Sequence, residues 1–158
     1  MFLRKNMKIK SSPRLKSFDY YGEYAYFLTI CTYNKKIYFD RDDIVEFVLK
    51  ILKEESDKLK FKIFAYCFMP DHIHLLLLGS ENSSLKDFMK IFKQKSSFYF
   101  KKKYEEKLWH LSYYDRILRK EESLRDVAIY IFNNPVRKEL VENFIDYKFL
   151  GSFVFDVV

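Results

Sequence analysis

Two apolar runs joined by a proline turn constrain this chain most. Residues 62–68 (KIFAYCF) and 72–78 (HIHLLLL) flank Met69-Pro70-Asp71. Proline has no N–H to give to a β ladder, so it ends a strand rather than continuing it. The segments are rich in aromatic and aliphatic residues and read as two strands across a tight turn. Upstream, residues 23–33 (EYAYFLTICTY) read as another strand. Asp40 offers an N-cap for a helix over residues 41–59. There Ile44, Phe47, Val48, Ile51, Leu52 and Leu59 fall at helical spacing.

Downstream, Ser83 or Ser84 caps a second helix, with Leu85, Phe88, Met89, Phe92 and Tyr99 on one side. Its other side carries Lys86, Lys90, Lys93, Lys95 and Lys101. A fourth strand is expected at residues 113–118, and a third helix at 123–133, before Pro135. The order strand, helix, strand, strand, helix, strand predicts an α+β fold of the ferredoxin-like kind. Two helices cover one face of an antiparallel sheet, with the third helix added at the C-terminal end. The other face of the sheet is left for something else.

Charge and cysteine content narrow the class. The chain has 158 residues, is 49% hydrophobic and has a net charge of +7. That apolar mass excludes a disordered tail, and the length suits one domain. Residues 1–18 read as a basic arm, because Arg4, Lys5, Lys8, Lys10, Arg14 and Lys16 precede the first acid, Asp19. Residues 19–158 read as a single domain. Cys31 and Cys67 lie in apolar runs and read as buried free thiols of a reducing compartment. No apolar run has the length of a membrane span, and the N-terminus lacks the core of a secretory signal. A cytoplasmic, nucleoid-associated protein without a membrane partner is therefore expected. The basic, aromatic-rich composition suits nucleic acid, with Tyr20, Tyr21 and Tyr113 as candidates to stack on unpaired bases.

The chemistry centres on His72-Ile73-His74. Side chains alternate along a strand, so the two imidazoles share one face, while Ile73, Leu75 and Leu77 point to the other and bury. Two imidazoles on one face form half a metal site. The plainer alternative is a hydrogen-bonded pair under a loop. The third histidine, His110, reads as a loop residue. Tyr130 and Asn134 are four apart and share a helix face. One can supply a nucleophile and the other an oxygen ligand. Their plainer readings are a core aromatic and a helix boundary, with Asn134 capping a new helix that starts at Pro135.

Four segments in this order resemble the HUH single-tyrosine transposases, in the branch of REP-associated and insertion-sequence enzymes. They are residues 14–32 (RLKSFDYYGEYAYFLTICT), 67–77 (CFMPDHIHLLL), 108–119 (LWHLSYYDRILR) and 130–141 (YIFNNPVRKELV). The resemblance implies His72, His74 and Asn134 as ligands of Mg²⁺ or Mn²⁺, and Tyr130 as the nucleophile. It implies metal-assisted cleavage and rejoining of single-stranded DNA beside a hairpin, through a 5′-phosphotyrosine. It also implies a monomer or a homodimer that exchanges the tyrosine helix. Arg14, Lys16, Lys86, Lys90, Lys93, Arg116 and Arg119 are the cations expected on DNA. Asp71 stands where the family commonly has Asn, a turn position expected to matter little. Arg116 stands where many relatives have His. The alternative is a transposase-derived protein that binds structured single strands without cutting them. A replication initiator would bring a second tyrosine one turn away, where this chain has Asp126 and Asn134. A His-dependent phosphoesterase would need more ligands than three histidines allow.

Overall fold

The computed structural model describes residues 18–157, so Arg14, Lys16 and most of the expected basic arm lie outside the described residues. Strands β1 (Ala25–Cys31), β2 (Phe61–Met69), β3 (His72–Gly79), β4 (Tyr114–Ile117) and β5 (Leu150–Gly151) form one sheet in the order β4-β1-β3-β2-β5. Every pairing is antiparallel. The first four strands have the order expected of a ferredoxin-like sheet. β5 is an addition that the sequence pattern did not reveal.

Helices α1 (Asp42–Lys58) and α2 (Leu85–Tyr104) close one face. Ile44, Val48 and Leu52 of α1 and Phe88, Met89 and Phe92 of α2 pack on Leu28, Ile30, Ile73, Leu75 and Leu77. α1 starts one residue later than expected: Arg41, not Asp40, occupies its N-cap, without a side-chain bond. At α2 the choice between two serines is resolved. Ser84 Oγ accepts from the Asp87 N–H, whereas buried Ser83 donates to the carbonyls of Leu59 and Lys60.

The opposite face carries α3 (Leu124–Phe132), capped by Ser123, and the short α4 (Asn134–Arg137). Val127, Ala128, Ile131 and Phe132 pack on Phe27, Ala65, Cys67, Met69 and Leu76. A bulge in β2 makes this possible. The register against β3 shifts between Ile63 and Ala65, leaving Phe64 as the extra residue. One extra residue reverses the alternation of a strand. Phe61 and Ile63 therefore face the helix pair, whereas Ala65, Cys67 and Met69 face α3.

The chain after α4 returns along the β2 edge. Tyr66 pairs with Gly151 and Cys67 with Leu150. On the way Phe144 stacks on Phe132 at 5.8 Å between ring centroids, and Tyr147 Oη donates to the Phe68 carbonyl at 2.5 Å. The added helix thus packs on the sheet of its own chain and is held there from outside. Cys67 is buried as expected, but Cys31 is only half-buried. Tyr20, a candidate for base stacking, belongs to the core at 2% exposure and stacks on Tyr26. Tyr21 is exposed and Tyr113 half-buried. Among the described residues no helix is long and apolar enough to cross a membrane.

Candidate active site

The turn at Pro70 sets the start of β3 and so the position of both histidines. The Pro70 carbonyl accepts from the N–H groups of Tyr38 and Phe39, and the Asp71 carbonyl from the Thr32 N–H and hydroxyl. In register, His72 lies between Cys31 and Met69, and His74 between Thr29 and Cys67. Both imidazoles project on the α3 face, as the alternation requires, while Ile73 and Leu75 are buried under α1 and α2.

Each ring is anchored through its Nδ1. His72 Nδ1 lies 2.6 Å from Asp71 Oδ1, and His74 Nδ1 lies 3.0 Å from Thr29 Oγ1. A carboxylate only accepts, so the His72 proton resides on Nδ1 and its Nε2 turns a lone pair to the site. The two Nε2 atoms face each other at 3.1 Å. Thr29 can donate or accept. His74 can therefore hand an Nε2 proton to His72, or present a second lone pair when a cation lies between them. A hydrogen bond behind each ring fixes its orientation and raises the basicity of its free nitrogen.

The donor set fits a divalent cation. Two nitrogens each about 2.1 Å from one ion stand about 3.0 Å apart at an octahedral angle and about 3.4 Å apart at a tetrahedral one. The observed separation is close to the octahedral value. Burial pushes the His72 pKa below the ordinary histidine range, against the pull of Asp71. His74 is held well below that range, by burial first and then by His72, Arg137 and Lys138. Neutral imidazole is the ligand form. Among the described residues no third His, Cys, Asp or Glu completes a metal cluster. Further ligands would have to come from neutral side chains, water or substrate.

Tyr130 reaches this face from α3 and is half-buried. Its ring lies 6.2 Å from that of Phe27, which lies 5.6 Å from His74, so Phe27 forms the floor between them. Asn134 is 8% exposed and is the first residue of α4, not its cap; Asn133 occupies that position. Its Nδ2 donates to the Ile131 carbonyl at 3.1 Å, and its Oδ1 makes no hydrogen bond among the described residues. The side chain thus serves the end of α3 with its nitrogen and keeps its oxygen for another partner.

The expected DNA cations divide by location. Lys86, Lys90 and Lys93 belong to α2, the helix on the opposite face from the histidines. Lys86 lies 5.5 Å from the Tyr20 ring, Lys93 donates to the carbonyls of His110 and Leu111, and Lys90 is exposed. Arg116 shares the histidine face, 6.0 Å from the Phe27 ring, and makes a double contact with Glu122 at 2.7 and 2.9 Å. The Arg119 N–H donates to the same carboxylate. Three residues escaped the sequence reading. Asp71 is more than a connector, because it holds His72. Thr29 holds His74 from another strand. Arg137 lies over Tyr130 and its charge is felt at His74. Asp71 alone had a local signal, its adjacency to His72.

A sheet with a paired-imidazole centre and a tyrosine helix on the same face defines the kind of protein this is. Residues 20–134 match the model of the IS200-like transposase family. A Haemophilus influenzae protein named for the REP-associated tyrosine transposases is 31% identical over 144 residues, covering 84% of this chain and 81% of its own. A second, uncharacterised H. influenzae protein is 25% identical over 171 residues, covering 87% and 94%. The fold is similar to that of a REP-associated tyrosine transposase solved bound to a REP hairpin. That likeness has a TM-score of 0.71 and 16% identity, over 88% of this chain and 82% of the other. A transposase-family structure from Deinococcus radiodurans R1 superposes with a TM-score of 0.54 at 23% identity, over 75% and 96%. This chain belongs to the IS200-like transposase family.

Proposed function

We propose that this transposase cleaves and rejoins single-stranded DNA beside a hairpin, using Tyr130 as nucleophile and a divalent cation held by His72, His74 and Asn134. The observation that carries the reading is the facing pair of Nε2 atoms, each ring anchored behind, on the face that also bears Tyr130. Hairpin recognition rests on the relative solved with a REP hairpin.

Mg²⁺ or Mn²⁺, when bound, polarises a phosphoryl oxygen and orients the scissile bond. His72 and His74 stay neutral because the site is buried, and Asp71 and Thr29 keep both rings turned inward. Asn134 contributes its amide oxygen while its nitrogen remains on Ile131. Tyr130 Oη forms a bond to phosphorus and loses its proton. The bond to the 3′ oxygen breaks, and that oxygen takes up a proton to become a free 3′-OH. The 5′ phosphate stays on the tyrosine until a 3′-OH attacks it and restores a phosphodiester. In this reading α3, packed on its own sheet, presents Tyr130 to the histidines of the same chain.

The test is a covalent protein–DNA adduct. Hairpin-bearing single strands incubated with Mg²⁺ or Mn²⁺ should yield a denaturation-resistant band. Tyr130→Phe should abolish the band and keep hairpin binding. Undiminished cleavage by that variant would sink the assignment. Hairpin binding by the parent protein with no adduct in either metal would favour the non-cleaving, transposase-derived reading.

A further inference from the structure

The last turn of α3 leaves carbonyls without helical donors, as every helix end does. Here the Asn133 N–H still reaches the Ile129 carbonyl, and three side chains add donors around it. Asn133 Nδ2 donates to Ile129, Asn134 Nδ2 to Ile131, and Arg137 Nη2 to Tyr130 at 2.7 Å. The guanidinium does more than close the helix. Its central carbon lies 4.0 Å from the centroid of the Tyr130 ring, a stacking distance. Arg137 therefore grips the same residue twice, by its backbone oxygen and by its aromatic face. The planar, five-donor geometry of arginine allows both at once, and lysine has neither the plane nor the fork.

We infer that Arg137 is a positioning residue that fixes the Tyr130 ring for attack on the scissile phosphate. The inference rests on the reading of Tyr130 as nucleophile and adds what holds it. Tyr130 makes no side-chain hydrogen bond among the described residues. The Phe27 ring lies 6.2 Å from its ring, the guanidinium carbon 4.0 Å, and the ring packs at the edge of the apolar cluster under α3. Without Arg137 the looser Phe27 contact remains, and the phenol can turn about its χ angles. Misplacing a reacting group by about 1 Å costs about 10²-fold in rate.

Two measurements on the full chain decide it. The first needs no DNA: with 3-fluorotyrosine incorporated, the fluorine resonance of residue 130 is assigned by its loss in Tyr130→Phe. Arg137→Ala and Arg137→Lys should both shift and narrow that resonance. The second is single-turnover adduct formation, at saturating protein, on the hairpin oligonucleotide that the parent cleaves best. Both variants should lose about 10²-fold in rate, with hairpin affinity and melting temperature within error of the parent. Arg137→Lys carries the same readings should Arg137→Ala fold poorly. An unchanged fluorine resonance overturns the inference whatever the activity. So does full recovery in Arg137→Lys, which would make the charge alone sufficient, or a loss carried entirely by hairpin affinity. A parent protein that forms no adduct removes the chemistry proposed above, and the fluorine resonance still judges the Arg137 contact by itself.

Discussion

The two faces of one sheet differ in what their buried polar groups hold. Under α1 and α2 lies a dense aromatic and aliphatic core in which Phe68, Phe88, Phe92 and Phe100 are fully buried, and its buried polar groups pair within it, Ser96 with Trp109 and Glu55 with Lys95. Under α3 and α4 the apolar cover is smaller, and polar groups are buried within it: Thr29 at 2%, His74 at 6% and Asn134 at 8% exposure. Buried polar groups cost free energy unless they are partnered. On this face Thr29 holds His74, the two imidazoles face each other, and Asn134 bonds the end of α3. One face is mainly packing, and the other also holds two imidazoles in place.

The largest expected effect breaks the first face. Phe92 is fully buried, and its ring lies near those of Phe88 and Trp109. Phe92→Ala should cost about 3–5 kcal/mol of unfolding free energy, read by chemical denaturation. Below the unfolding transition it should leave Mn²⁺ affinity within a factor of about two, since distant sites are nearly additive. A large fall in affinity in the folded variant would mean that the two faces are not energetically separate.

The next effect should be the reverse. Thr29→Val keeps the volume and removes the hydroxyl that anchors His74 Nδ1. Loss of such an outer-shell partner lowers metal affinity about 10–100-fold, so calorimetric titration with Mn²⁺ should show a weakening of that size. Asp71→Asn retains an acceptor for His72 and should weaken binding less than Asp71→Ala. If Thr29→Val binds Mn²⁺ like the parent, the buried hydroxyl contributes packing only, and the contrast between the faces shrinks.

Much of the helix-bearing face was legible in the sequence because its signals are local. Helical periodicity identified Ile44, Val48, Leu52, Phe88 and Phe92, and alternation put His72 and His74 together while burying Ile73 and Leu75. The order of elements was enough for the β4-β1-β3-β2 arrangement. The site face was legible only in part. Its completion depends on partners distant in sequence. Thr29 meets His74 across 45 residues, and Tyr147 reaches Phe68 across 79. The bulge at Phe64 leaves no mark in an all-apolar run, yet it decides which β2 residues lie beneath the histidines. β5 is two residues long, below what any periodicity detects. Arg137 reads as one more cation in VRKEL, and only the turn of chain between α3 and α4 brings it over Tyr130.

The smallest effect concerns how the site face is held shut. Tyr147 Oη donates to the Phe68 carbonyl at 2.5 Å, on the strand that also carries Cys67 and Met69. Burial raises the Tyr147 pKa above the ordinary tyrosine range, so the phenol remains a donor through neutral pH. Tyr147→Phe removes that single bond and keeps the ring, which should cost about 1 kcal/mol of unfolding free energy. Because the segment around Tyr147 also stacks Phe144 on Phe132, amide exchange in α3 should quicken more than exchange in α1. That asymmetry follows if the C-terminal segment clamps the tyrosine helix and not the sheet as a whole. Equal acceleration in both helices would show instead that the two faces open together, and would turn the contrast between them into one of composition alone.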